Sequence, residues 1–93
     1  MIYTMEKNRD KINEFLEQFD LTTLIADGFD EAIVGIIMQD EHPKVVYDEY
    51  KCVDILIEDG LTEEEAQEYF DYNVSGAYMG ENTPIFMTPI SGI

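Results

Sequence analysis

Apolar residues recur along this chain with two different periods, and the change of period divides it into elements. Between Thr4 and Phe19, the residues Met5, Ile12, Phe15, Leu16 and Phe19 fall at helical spacing and predict an amphipathic N-terminal helix. Glu6, Asp10, Glu14 and Glu17 lie on its opposite face, interleaved with Lys7, Arg9 and Lys11, so this helix is partly self-neutralised. Residues 21–26 either extend it or lead to a sheet, and Asp27-Gly28 signals a turn. The run from Ala32 to Met38 is short and rich in β-branched residues, which predicts a strand, with Gly35 marking a bulge or a close approach. A polar link closing at Pro43 leads to a second strand at Lys44-Val45-Val46-Tyr47, so a β-hairpin is predicted over about residues 31–47.

The period then returns to that of a helix. Asp48 is placed to cap a helix over about 49–59 whose apolar stripe holds Tyr50, Cys52, Val53, Ile55, Leu56 and Ile57, and Gly60 ends it. Thr62 with Glu65 three residues on forms a capping box, with Leu61 and Ala66 as its apolar staple, and opens a helix over about 63–77. The wheel assigns Ala66, Tyr69, Phe70, Asn73, Val74 and Ala77 to the core face, with Glu64, Glu68 and Asp71 opposite. Asn73 on an apolar face needs hydrogen-bond partners, and tying down the loop of residues 80–84 is its expected role. Beyond Gly80, glycines and prolines predict a loop, within which Ile85-Phe86-Met87 is apolar enough to pair as a short strand. The reading is one small α+β domain over residues 1–93.

Composition agrees with a folded domain and makes it an unusual one. Hydrophobic residues are 45% and aromatics 12% of the 93 residues, too apolar for a disordered acidic tail. A chain of this length buries about two-thirds of its unfolded surface, so its core is thin. Five cations oppose 21 carboxylates, a net charge of −16, whereas a small domain typically carries a net charge of roughly 2 to 8 in magnitude. From Cys52 onward there are nine carboxylates and no Lys or Arg. Such self-repulsion weakens the compact state and asks for a reason: a basic partner, bound cations or a saline medium.

The same charge argues against direct binding of nucleic acid or anionic lipid, since phosphate contacts need Lys and Arg. Met1 to Glu6 lack the cationic start and apolar run of a signal peptide, and no stretch reaches 18 apolar residues, so neither export by that route nor membrane insertion is expected. The lone Cys52 forms no internal disulfide and fits a reducing cytoplasm.

Candidate chemistry is sparse. His42, beside Glu41, has no Ser or Cys at a recognisable spacing, so loop polarity explains it better than acid-base catalysis. Cys52 sits among apolar neighbours and reads as a small buried hydrophobe. Placing Gly28 or Gly60 sixth in a calcium loop puts Thr23 or Ile55 first, which excludes an EF-hand. One His and one Cys leave no zinc set, and the glycines are too scattered for a phosphate loop. No catalytic residue, metal or cofactor is assigned.

What remains is the acidic surface. Carboxylates three and four apart on a helix project about 5 to 6 Å apart, and DNA carries one charge per roughly 3.4 Å along each strand. A helical acidic stripe is thus a coarse imitation of a row of phosphates, with a plain solvated face as the rival reading. The candidate partner-binding residues are Glu58, Asp59, Glu63, Glu64, Glu68, Asp71 and Tyr72, with Tyr47, Tyr50 and Tyr78 as further aromatic anchors.

Four segments carry a resemblance: Phe29-Asp30-Glu31-Ala32-Ile33-Val34-Gly35, Val45-Val46-Tyr47-Asp48, the stretch Glu64 to Asn73, and Gly80-Glu81-Asn82-Thr83-Pro84-Ile85-Phe86. Over about residues 29–86 the chain resembles a family of small acidic proteins encoded by tailed phages and prophages. The resemblance implies a phage-related origin and a compact ββαα-like core, and it carries over no activity and no functional residue. By analogy it implies a non-enzymatic inhibitor, acting in the host cytoplasm, that occupies the nucleic-acid-binding surface of a basic host protein such as a defence nuclease, as anti-CRISPR proteins do. The alternative is a phage accessory or assembly protein that acts by homo-oligomerisation and whose acidity serves solubility.

Overall fold

A computed structural model describes residues 8–38, 41–76 and 80–93. The first helix, α1, spans Asn8–Glu17, and a 3-10 turn at Asp30–Ala32 leads into strand β1, Ile33–Ile37. Strand β2, Lys44–Asp48, runs directly into helix α2, Glu49–Glu58. Helix α3, Glu63–Tyr69, continues as a π turn over Phe70–Val74, followed by strand β3, Ile85–Met87, and a 3-10 turn at Ile90–Gly92. The result is the expected α+β domain. Met5, Gln39, Asp40, Ala77 and Tyr78 lie outside the described residues.

The local signals explain most of the boundaries. The Asp48 carboxylate accepts from the backbone N–H groups of Tyr50 at 2.9 Å and Lys51 at 3.2 Å, capping α2 from the last residue of β2. At its other end Leu61 N–H reaches Leu56 C=O and Gly60 N–H reaches Ile57 C=O, with Gly60 at φ +115°, a Schellman closure. The capping box of α3 is complete in both directions: Thr62 N–H donates to Glu65, and Glu65 N–H donates to the Thr62 hydroxyl. The same closure that ends α2 also ends α1, where Leu21 N–H meets Leu16 C=O and Asp20 N–H meets Glu17 C=O. There Asp20, at φ 55°, takes the left-handed position usually given to glycine.

The sheet has the order β1-β2-β3. β1 and β2 form the predicted antiparallel hairpin, and its register steps from Ile33 opposite Tyr47 to Gly35 opposite Val46. Val34 is therefore the extra residue of a bulge beside Gly35. β3 does form, and it pairs with β2 in parallel, Ile85 opposite Val46 and Met87 opposite Asp48. Parallel pairing requires a long crossover, which α2, α3 and the π turn supply.

The core gathers Ile12 and Leu16 of α1, Phe29 and Ala32, Val45 and Tyr47 of β2, Cys52, Val53 and Leu56 of α2, and Ala66 and Phe70. Tyr47, fully buried, stacks on Phe86 with centroids 5.3 Å apart, and Phe86 meets Phe70 edge-on at 5.3 Å. The Tyr47 hydroxyl accepts the Ala26 N–H at 2.8 Å. Burial raises its phenol above the ordinary range, against the opposing pull of that N–H. Tyr47 is thus a core residue and not the surface anchor expected of it. The apolar stripe of α1 is also narrower than expected, because Phe15 and Phe19 pair with each other at 5.1 Å on the exposed side.

Two outcomes test this architecture. Tyr47→Phe keeps the ring packing but strands the Ala26 N–H, so it should cost about 1–3 kcal/mol, read as a lower urea midpoint with an unchanged slope. Glu65 is held below the usual carboxylate range by the Thr62 N–H and then by the Thr62 side chain. A carboxylate depressed in the folded state stabilises above its unfolded pKa and loses that effect as pH falls through the folded value. The advantage of the native chain over Glu65→Gln should therefore be full at neutral pH and vanish as acid titrates through and below about pH 4.3, as urea midpoints at neutral and acid pH will show.

Candidate partner-binding face

The seven candidate residues sit along the end of α2, along α3 and in the π turn, and all are exposed. Glu58 ends α2 and Asp59 is its C-cap, while Glu63 and Glu64 open α3 and Glu68 lies near its end. Asp71 and Tyr72 lie in the π turn, where Asp71 accepts from the Gln67 side-chain amide at 3.0 Å. None of these carboxylates has an ion-pair partner among the described residues. The pairs that do form are elsewhere: Arg9 bridges Asp27 at 3.1 Å and Asp30 at 3.8 Å, and His42 meets Glu81 at 2.6 Å.

The surface beside them is not flat. A cleft of about 580 Å³ opens between the loop of residues 24–29, the end of α2, the π turn and β3, with Ile25, Leu56, Val74 and Phe86 among its apolar lining and Asp27 and Asp59 among its acidic lining. A second hollow of about 370 Å³ is lined by Leu61, Glu65, Glu68, Tyr69, Tyr72 and Asn73. Tyr69 and Asn73 line both, so they form the ridge between the two. Of the seven candidates, Asp59 faces the cleft, Glu68 and Tyr72 face the hollow, and Glu58, Glu63, Glu64 and Asp71 line neither.

Tyr69 and Asn73 correct the helical wheel. Tyr69 is 48% exposed and Asn73 is exposed, although regular helical spacing places both with the buried Ala66 and Phe70. Tyr69 sits at the margin of a narrow stripe. Beyond it, Ser75 N–H bonds Phe70 C=O at 2.9 Å, five residues back, so the widened turn rotates Asn73 out of the frame that a 3.6-residue period assumes. A Cβ at Gly76 would approach the Asp71 carbonyl to 3.0 Å, so a glycine suits the exit from this widened turn. Asn73 does not hold the loop that follows. That role belongs to Asn82, which donates to Pro43 C=O at 3.0 Å, where the Thr23 hydroxyl also donates at 2.6 Å.

Other candidates fall into place on geometry. Tyr50 is partly exposed but leans on the C-terminal turn, its ring against Gly92 and its hydroxyl 3.5 Å from the Gly92 carbonyl. Cys52 is fully buried, and desolvation, with Asp48 and Glu49 adding to it, pushes its thiol up to about 12, which leaves no reactive thiolate at neutral pH. His42 takes Glu81 as its partner and not the adjacent Glu41. Among the described residues no three His, Cys, Asp or Glu side chains converge to hold a metal ion, and no helix is long and apolar enough to cross a membrane.

The placement of charge on α2 works against the helix itself. Glu58 and Asp59 lie at its negative end, with no basic residue in the last turn. Glu58→Gln with Asp59→Asn should therefore raise the melting temperature at low ionic strength. The gain should shrink in NaCl above about 0.15 M, where the screening length falls to about 8 Å. Compared with models of protein families, with curated proteins and with solved structures, the chain matches none.

Proposed function

We propose that this chain is a non-enzymatic acidic phage protein that binds and inhibits a basic, nucleic-acid-binding host or defence protein in the host cytoplasm. The observation that carries the reading is the face formed by the end of α2, α3 and the π turn, whose exposed carboxylates have no ion-pair partner among the described residues and adjoin Tyr72, itself 78% exposed. Glu58 and Asp59 stand at the negative end of their own helix, where no basic residue in the last turn offsets them. Charge of one sign steers a basic partner and rejects acidic ones, while an exposed aromatic supplies the desolvated contact from which affinity comes. Nucleic acid itself is repelled, so such a face competes for the protein that binds nucleic acid and not for the nucleic acid.

The exposed Phe15 and Phe19 pair favours a second reading, an accessory protein that self-associates through α1. Affinity capture from host lysate separates the two. The inhibitor reading expects a basic nucleic-acid-binding protein, retained less well as salt rises, and loss of capture with Glu64→Lys, Glu68→Lys and Asp71→Lys combined while the circular dichroism spectrum is unchanged. Full retention by that triple variant would remove this face from the interface. Light scattering that shows a concentration-dependent oligomer, with no basic protein captured, would favour self-association.

A further inference from the structure

The double hollow has a shape and chemistry that narrow what a basic partner must present, and the inference rests on the reading just given. On one side of the Tyr69 and Asn73 ridge, Glu65, Glu68 and Tyr72 line one hollow, with Glu68 a single helical turn before Tyr72. Glu65 is held in place by its capping bond to Thr62 at 2.9 Å. Carboxylates beside exposed aromatic rings suit a guanidinium, which stacks on a ring face and donates in its plane to an acid. A lysine ammonium does only part of this. On the other side the cleft is lined largely by apolar side chains, and its volume of about 580 Å³ is within the range that holds a small ligand or a few side chains. No Lys or Arg lines either hollow.

Those features select among occupants. A second copy of this chain carries the same net charge of −16 and is repelled as a whole. A metal ion finds only Glu65 and Glu68 here, among aromatic and amide neighbours. A nucleic acid is repelled. We propose that the double hollow docks a basic segment of a partner protein, with one arginine in the hollow lined by Glu68 and Tyr72 and a neighbouring aromatic or aliphatic side chain filling the cleft across the ridge. The ridge reads the spacing between the two, so recognition requires both an arginine and an apolar residue close to it in sequence. The π turn is what makes this arrangement, since it carries Tyr72 and Asn73 to the surface beside a cleft whose far wall is β3.

The test uses four acetylated, amidated peptides, Arg-Phe, Arg-Gly-Phe, Phe-Arg and Phe-Gly-Arg, titrated into the isotope-labelled protein at about 0.15 M NaCl, where long-range charge effects are screened. At least one should give saturable amide shifts centred on Asp59, Glu68, Tyr69, Tyr72 and Asn73. Replacing either its Arg or its Phe by Ala should weaken binding about tenfold, the scale of a lost anchor. Asn73→Arg, which sets a cation on the ridge, and Tyr72→Ala should weaken it similarly; both positions are exposed, and unchanged melting will show that the fold is kept. Absence of any saturable shift, or shifts that follow peptide charge whether or not Phe is present, would overturn the proposal. Lysate capture separates its failure from that of the inhibitor reading. A captured partner lost by the Lys triple variant but kept by Asn73→Arg defeats only the docking mode. Peptide binding at the ridge with no basic protein captured defeats only the inhibitor.

Discussion

Tyr47 holds this small domain together. It is a fully buried side chain of the central strand, and it acts in two directions at once. Its ring stacks on Phe86 and through it reaches Phe70, joining the hairpin to the parallel strand and to the π turn, while its hydroxyl fixes the backbone at Ala26. The loop of residues 24–29, β3 and the π turn are three walls of the cleft, and each is positioned by a contact in the chain that starts at this residue. A domain of this size has few such residues, because little surface can be withdrawn from water.

Charge is distributed on this frame in two unlike ways. Arg9 spends its guanidinium on Asp27 and Asp30, so α1 and the loop before β1 are drawn together by opposite charges. Among the described residues of α2, α3 and the π turn no Lys or Arg pairs with a carboxylate, and these elements are specified by caps and apolar stripes. Hydrogen bonds from side chain to backbone, at Asp48 and in the Thr62 and Glu65 box, take the structural work that ion pairs perform elsewhere. Glu58, Glu63, Glu64 and Glu68 of this half take no part in capping and stand exposed.

Much of the fold was legible because its signals are local. Asp48, Gly60, Thr62 with Glu65, and the bulge at Gly35 each act within a few residues, and each did what its chemistry implies. The direction of β3 was not legible, since Ile85-Phe86-Met87 carries no mark of which neighbour it will join or which way it will run. Nor was the stop at Asp20, where a non-glycine residue takes the left-handed position. The candidate site was half legible. Its charges follow from composition, whereas its shape depends on a π turn that shifts the period by one residue and so moves Asn73 from the expected core to the ridge.

The parallel pairing of β3 has a consequence for when this surface exists. Val46 must wait for Ile85, so while the chain is being made the hairpin, α2 and α3 emerge with the edge of β2 bare and with Tyr47 lacking the ring that covers it. Pro84 and Phe86 supply the last wall of the cleft, and they arrive together with the strand that seals the core. Closure of the core and creation of the cleft are one event, so no partly synthesised chain displays the finished cleft.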